Sequence, residues 1–166
     1  MNLLLIGNAI SMIGCLIMVG IGFLKKKKHI LIAQSVQCIF MGVGNLVLGG
    51  ISGFICNIVT IIRNLAFLKF RNTTAMKLFF IALQFVLSIG TLSAGWISWL
   101  PIVSSALFTW YMDTHSQAKL KVVILITTLM WLTYDLSFRN FVASAFDVMT
   151  FASNCIGLYM ILKRSK

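Results

Sequence analysis

Glutamate is absent from this 166-residue chain, proline occurs once, at Pro101, and the acids are three aspartates. Charged residues make up 10% of the sequence, against about 25% in an ordinary soluble domain. So few charges cannot cover a water-exposed surface, which excludes a soluble globule. The near-absence of proline, with 60% hydrophobic residues, excludes a disordered or collagen-like chain. What remains is a polytopic membrane protein. The four cysteines, Cys15, Cys38, Cys56 and Cys155, fall inside apolar runs without a CxxC spacing. They read as small packing residues rather than disulfide or metal ligands. The net charge of +11 does not indicate a nucleic-acid partner, because the basic residues sit between apolar runs and form no stripe with polar neighbours.

Charge-free runs set the number of spans. They cover Leu3–Leu24, Ile30–Ile62, Leu78–Met112 and Val148–Leu162. A membrane helix needs about 20 apolar residues. The second and third runs are too long for one crossing and must fold back. Gly49-Gly50-Ile51-Ser52-Gly53 breaks the first of these and Ser93-Ala94-Gly95 the second. The expectation is an all-α bundle of seven transmembrane helices over 3–24, 28–48, 51–69, 75–92, 96–112, 119–138 and 141–162. The connections are too short for a separate soluble domain, so residues 1–166 read as one integral membrane domain.

Lysine and arginine placement orients the bundle. Alternate connections and the tail carry Lys25 to Lys28, Lys69, Arg71, Lys77, Lys119, Lys121, Lys163, Arg164 and Lys166. The other side carries Arg139 alone, and Arg63 lies inside the third span. This asymmetry places the amino terminus outside and the carboxyl terminus in the cytoplasm. Residues 1–24 read as a retained first span rather than a secretory signal, because the lysines follow the apolar run instead of preceding it. Trp96 and Trp99 read as interfacial anchors at the outer boundary.

The chain also aligns with itself at an offset of 90 residues. Asn45 meets Asp135, Asn57 meets Asp147, Thr60 meets Thr150 and Asn64 meets Asn154, without a gap. Identity between the copies is close to chance, and the coincidence lies in the polar positions. Three spans reverse direction across a membrane, so the additional span 75–92 restores it. Repeat one (3–69), a linker helix (75–92) and repeat two (96–162) form a 3+1+3 plan of parallel repeats.

Polar residues inside the spans keep helical spacing. Asn57, Thr60 and Asn64 lie at i, i+3 and i+7, as do Asp147, Thr150 and Asn154. Gln34, Gln37, Met41 and Asn45 form a stripe on the second span, matched by Thr127, Trp131 and Asp135 on the sixth. Such faces are costly in lipid and should point into the bundle. One reading is interhelical hydrogen bonding that holds the bundle together. The other is a solute pathway, which suits Asp147 best, since a carboxylate inside a span is costly to ionise and suited to exchanging a proton. Asp135 is a second proton- or ion-coupling candidate, with Arg139 four residues on as an ion-pair partner. Arg63 is expected to snorkel toward the basic loops, with an aspartate as its alternative partner.

The segments Ile6-Gly7-Asn8, Lys25 to Lys28, Gly49-Gly50-Ile51-Ser52-Gly53-Phe54 and Asn57-Ile58-Val59-Thr60-Ile61-Ile62-Arg63-Asn64 resemble the YgjV-type family of bacterial inner-membrane proteins. The match covers the first 70 residues or so well and the remainder by hydropathy. The resemblance implies a multi-pass protein of the bacterial inner membrane. It also implies a distant similarity to the SWEET and PQ-loop transporters, which share the 3+1+3 plan. In those transporters a tryptophan on the second helix of a repeat and an asparagine on the third line a central pocket. Trp131 and Asp147 resemble that pair in the second half, and Met41 and Asn57 take the same spacing in the first. The Pro-Gln dipeptide of the PQ-loop proteins is missing, because Pro101 is followed by Ile102 and the first half has no proline.

Two function classes follow. One is a uniporter or proton-coupled transporter of a small polar solute, its pocket lined by Met41, Asn57, Asn64, Trp131, Asp147 and Asn154. The other is a non-transporting receptor, assembly or structural protein on the same fold. A solvated cavity reaching Asp147 favours the first and a dry, packed centre the second. His29 and His115 sit at loops without an HExxH spacing, no Ser/His/Asp set shares a depth, and GxxxxGK[ST] is absent. No catalytic residue, metal or cofactor is therefore expected, and the lipid bilayer is the expected surrounding.

Overall fold

The computed structural model describes residues 2–21, 23–24, 26–70, 73–114 and 116–164. Lys25, Arg71 and Lys166, used in the charge asymmetry, and the loop residue His115 lie outside the described residues. Seven α-helices are found among the described residues: α1 (Leu3–Ile21), α2 (Lys27–Val47), α3 (Ile51–Lys69), α4 (Thr74–Ser88), α5 (Trp99–Tyr111), α6 (Gln117–Ser137) and α7 (Phe141–Arg164). Two short 3₁₀ turns, Ile89–Ala94 and Trp96–Ser98, link α4 to α5.

Helix bounds follow local chemistry. The Thr73 hydroxyl accepts from the Met76 amide at 3.3 Å and the Ser116 hydroxyl from the Lys119 amide at 3.3 Å, capping α4 and α6. Asn140 caps α7 by accepting from the Ala143 amide at 3.3 Å. Gly49 ends α2 with φ +86°, a conformation that glycine adopts without strain.

Six helices, all but α5, are long and apolar enough to cross a membrane. The fifth helix is shorter than expected. The fifth was read as 96–112, but Gly95 turns at φ +93° and residues 96–98 wind as a 3₁₀ turn. The α-helix that remains has 13 residues, about 20 Å of rise against a hydrocarbon core of about 30 Å.

The helices pack in a closed circuit. α1 packs on α2 and α7, α2 on α3, α3 on α5, α5 on α6, and α6 on α7. α4 lies against both α3 and α5. Lys77 on α4 forms an ion pair with Asp113 just past α5, and its ammonium also donates to the Trp110 carbonyl at 3.2 Å. Leu31, Val59, Phe67 and Phe80 form an apolar cluster toward the same end, with Phe67 and Phe80 edge to face at 5.8 Å. This end carries the α1–α2, α3–α4 and α5–α6 connections and is called the basic end below; the other is the opposite end.

The two opposite-end turns share one geometry. α2 and α6 each have 21 residues, and both begin and end at positions 90 apart. The Gly50 amide donates to the Asn45 carbonyl at 2.7 Å, and the Asn140 amide to the Asp135 carbonyl at 2.8 Å. The Gly49 amide donates to the Leu46 carbonyl and the Arg139 amide to the Leu136 carbonyl, both at 3.1 Å. Gly49 has φ +86° and Arg139 φ +57°. Every one of these pairs is separated by 90 residues.

Candidate functional site

The polar side chains lie in three levels. Toward the basic end, Asn64 is fully buried and its amide donates to Gln34 Oε1 at 3.1 Å. Arg63, also buried, donates from Nη1 to Thr109 Oγ1 at 2.6 Å and from Nη2 to Asn64 Oδ1 at 3.3 Å. Its guanidinium lies 5.9 Å from the centre of the Phe108 ring, within cation–π range. Arg63 therefore does not snorkel. It turns inward from α3 to α5, because Thr109 and Asn64 offer acceptors inside the bundle, and neither Asp135 nor Asp147 is among its partners.

At mid-depth, Cys15 on α1 donates to the Met41 sulfur on α2 at 3.9 Å. Asn57 is buried and bonds back to the Gly53 carbonyl at 2.8 Å. Gly42 on α2 permits the close approach of Asn57, since a Cβ there would lie 3.2 Å from the Asn57 Cβ. Gln84 on α4 is buried and reaches Cys56 Sγ at 2.8 Å and Ser88 Oγ at 3.2 Å.

The opposite end joins the first three helices to the last two. The Tyr134 hydroxyl on α6, fully buried, accepts from the Gly53 amide at 2.8 Å and from Ser52 Oγ at 3.2 Å. It thus caps one of the amides that α3 leaves unpaired at its start. The Asn140 amide group donates to Asn45 Oδ1 at 3.2 Å. Asn8 on α1 donates to the Arg139 carbonyl at 3.0 Å and accepts from the Val142 amide at 3.0 Å. Asp135 is 1% exposed and sits against the Asn140 side chain. Its Oδ1, like Asn45 Nδ2 and Ser11 Oγ, is buried without a hydrogen-bond partner. The expected Asp135–Arg139 ion pair does not form. Arg139 lies beyond the end of α6 in the left-handed conformation, so the i, i+4 relation of a continuous helix is lost.

In the last three helices, Asp147 is half-buried and its Oδ2 is buried without a partner. Trp131 is half-buried and meets the Tyr134 ring edge to face at 5.8 Å. Asn154 Oδ1 accepts from Lys121 Nζ at 3.0 Å, and its amide donates to the Thr150 carbonyl at 2.8 Å. Asn64 and Asn154, 90 residues apart, thus each bond the helix before their own.

Of the six expected lining residues, Met41 bonds Cys15, and the buried Oδ2 of Asp147 has no hydrogen-bond partner. The bonds and ring contacts of Asn57, Asn64, Trp131 and Asn154 run to other partners. A cleft of about 260 Å³ between α1 and α7 is lined by Met18, Val19, Phe146, Met149, Thr150 and Ser153. A second, of about 150 Å³, opens at the opposite end beside Gly49, Ser52, Thr91 and Phe138. Neither is lined by Asp147. Sequence reasoning missed Tyr134, Asn140 and Gln84. Tyr134 had a signal: it stands beside Asp135 on the stripe-bearing helix, and a buried tyrosine hydroxyl needs a partner.

Long apolar helices enclosing a polar interior, with lysines gathered at one end, define a multi-pass integral membrane protein. The family model for bacterial inner membrane proteins named Imp-YgjV matches residues 5–165, and the chain belongs to that family. No curated protein and no solved structure matches the chain.

Proposed function

We propose that this inner-membrane protein transports a small polar solute through an interior formed between two parallel three-helix repeats, α1–α3 and α5–α7, joined by α4. The proposal treats residues 1–166 as one domain with the amino terminus outside. Two features support the repeats. The opposite-end turns have the same hydrogen bonds 90 residues apart, and the circuit of helices has two corresponding seams, α3 with α5 and α7 with α1. Both are what a pair of repeats related by an axis along the membrane normal would give.

The observation that carries transport is the pair of aspartates inside the bundle. Asp135 and Asp147 each have a buried oxygen without a partner, and the buried Arg63 is engaged elsewhere. Carboxylates in a membrane interior without a basic partner mark proton or ion paths. In this reading Asp147 exchanges the proton or binds a cationic group, with Asp135 beside it. Asn57, Asn64 and Asn154 present polar groups, and Trp131 and Met41 present apolar surface.

A second reading has its own observations. Neither of the two clefts is lined by Asp147. Asn64, Arg63, Tyr134 and Asn154 are bonded within the protein, as expected of polar residues that hold a receptor or assembly protein together. Uptake into proteoliposomes across a panel of sugars, amino acids and organic cations separates the two. Saturable uptake of any panel member supports transport. Uptake equal to that of protein-free vesicles for every member supports the second reading.

A further inference from the structure

Arg63 is a buried cation without a counter-charge among the described residues. Its side chain is 2% exposed, within the apolar helix α3. A guanidinium keeps its charge in proteins, and burying that charge without a compensating negative group is costly. The sequence has three acidic side chains, all of them described, and none forms an ion pair with Arg63. Asp113 is held by Lys77. Asp135 and Asp147 each keep a buried oxygen without a hydrogen-bond partner.

The groups that meet the guanidinium are neutral. Thr109 Oγ1 accepts from Nη1 and gives its own proton to the Ser105 carbonyl at 2.7 Å. Asn64 Oδ1 accepts from Nη2 at 3.3 Å, while the Asn64 amide is donated to Gln34 Oε1 at 3.1 Å. Phe108 offers its ring at 5.9 Å. These contacts orient the guanidinium and leave one edge of its plane under-used. Nε and Nη2 lie side by side on that edge. Nε is buried without a partner, and the Nη2 bond is the longer of the two. Two parallel N–H groups on one guanidinium edge match the two oxygens of a carboxylate. One negative charge cancels that of Arg63, whereas a phosphate dianion exceeds it. Approach is favoured from the basic end. Arg63 lies six residues before Lys69, the last residue of α3, about 9 Å along the axis. Lys28, Lys69, Lys119 and Lys163 are exposed at that end, and gathered positive charge raises the local concentration of anions.

We propose that the Nε–Nη2 edge of Arg63 binds the carboxylate of a small monocarboxylate, with Thr109 and Asn64 fixing the guanidinium. Entry of the ligand opens the longer Arg63–Asn64 bond. Binding here is independent of whether the protein carries a solute across the membrane.

The test is thermal unfolding of the full chain in a neutral detergent, followed by tryptophan fluorescence at constant ionic strength in sodium HEPES. Acetate, lactate and benzoate are titrated against acetamide, lactamide and benzamide, with chloride as the monatomic anion. At least one carboxylate should raise Tm saturably, by roughly 5–10 °C at about a hundred times its Kd. Its amide and chloride should not. Arg63→Gln should weaken the apparent Kd by at least about tenfold. Without carboxylate it should unfold no lower than the wild type, because it removes a charge that nothing neutralises. Arg63→Lys keeps the charge without the fork and should bind detectably but more weakly than the wild type. Lys119→Gln, at the same end, should leave the shift unchanged. A wild type that no carboxylate stabilises overturns the proposal, and so does an equal shift with the amide or with chloride. An undiminished shift in Arg63→Gln places the ligand elsewhere and also overturns it. Should Arg63→Gln fail to fold, Arg63→Lys decides: an affinity equal to that of the wild type rules out the fork.

Discussion

Replacing Tyr134 by phenylalanine removes one oxygen from the junction at the opposite end. Tyr134 is 0% exposed, and its ring meets Trp131 at 5.8 Å and Phe138 at 4.7 Å. Those ring contacts survive the substitution. What is lost is the acceptor for the Gly53 amide at 2.8 Å and for Ser52 Oγ at 3.2 Å. The amide belongs to the first turn of α3, where no helical carbonyl can reach it. Leaving a buried donor unpaired costs about 1–3 kcal/mol, and about 2 kcal/mol is expected here. For a chain of this size that lowers Tm by roughly 4–8 °C. The measurement is thermal unfolding in detergent followed by far-UV circular dichroism. Tyr159→Phe, at a side chain 67% exposed on α7, is the control and should leave Tm unchanged. A Tyr134→Phe protein as stable as Tyr159→Phe would refute the idea that this hydroxyl ties the two sets of helices together.

Gly53→Ala should cost about 1–3 kcal/mol, because its Cβ would lie 2.7 Å from Tyr134 Cε1 and 2.8 Å from Asn45 Nδ2; chemical denaturation checks it. Arg139→Gly should stabilise the protein by about 0.5–1 kcal/mol, since a non-glycine residue at φ +57° is strained; a Tm at or below that of the wild type counts against the strain. A double-mutant cycle of Arg63→Leu and Asp147→Leu should show coupling below about 0.5 kcal/mol, because Arg63 bonds Thr109 and Asn64; a larger coupling would restore a direct pair. Reporter fusions at Lys27, Arg71, His115 and Lys166 should all read cytoplasmic, and a periplasmic reading at any one breaks the proposed topology.

Much of the fold was legible because lipid makes simple demands. Charge-free runs and the Gly49–Gly53 break located α1, α2 and α3 to within a few residues, and the expected spans 119–138 and 141–162 fall on α6 and α7. Of the polar positions repeated at an offset of 90, Asn45 and Asp135 lie at the two matching turns. The fifth helix begins later than expected because hydropathy does not register the 3₁₀ turn over Trp96 to Ser98. Arg63 was misread for a different reason. A cation less than two turns from Lys69 looks like a snorkel, and only the tertiary placement of Thr109 shows an inward partner. Asp135 and Arg139 failed as a pair because the i, i+4 rule presumes a helix that stops at Ser137. Tyr134, Asn140 and Gln84 act across helices far apart in sequence, and spacing within one span carries no trace of that.

The most direct test of the transport account is solute flux through Asp147→Asn in proteoliposomes across pH, with the variant's helicity and Tm measured alongside. Asparagine keeps the size of the side chain and removes its ability to exchange a proton. The account predicts a folded protein whose flux is reduced and no longer varies with pH. A folded Asp147→Asn protein with undiminished flux and the wild-type pH dependence would contradict it.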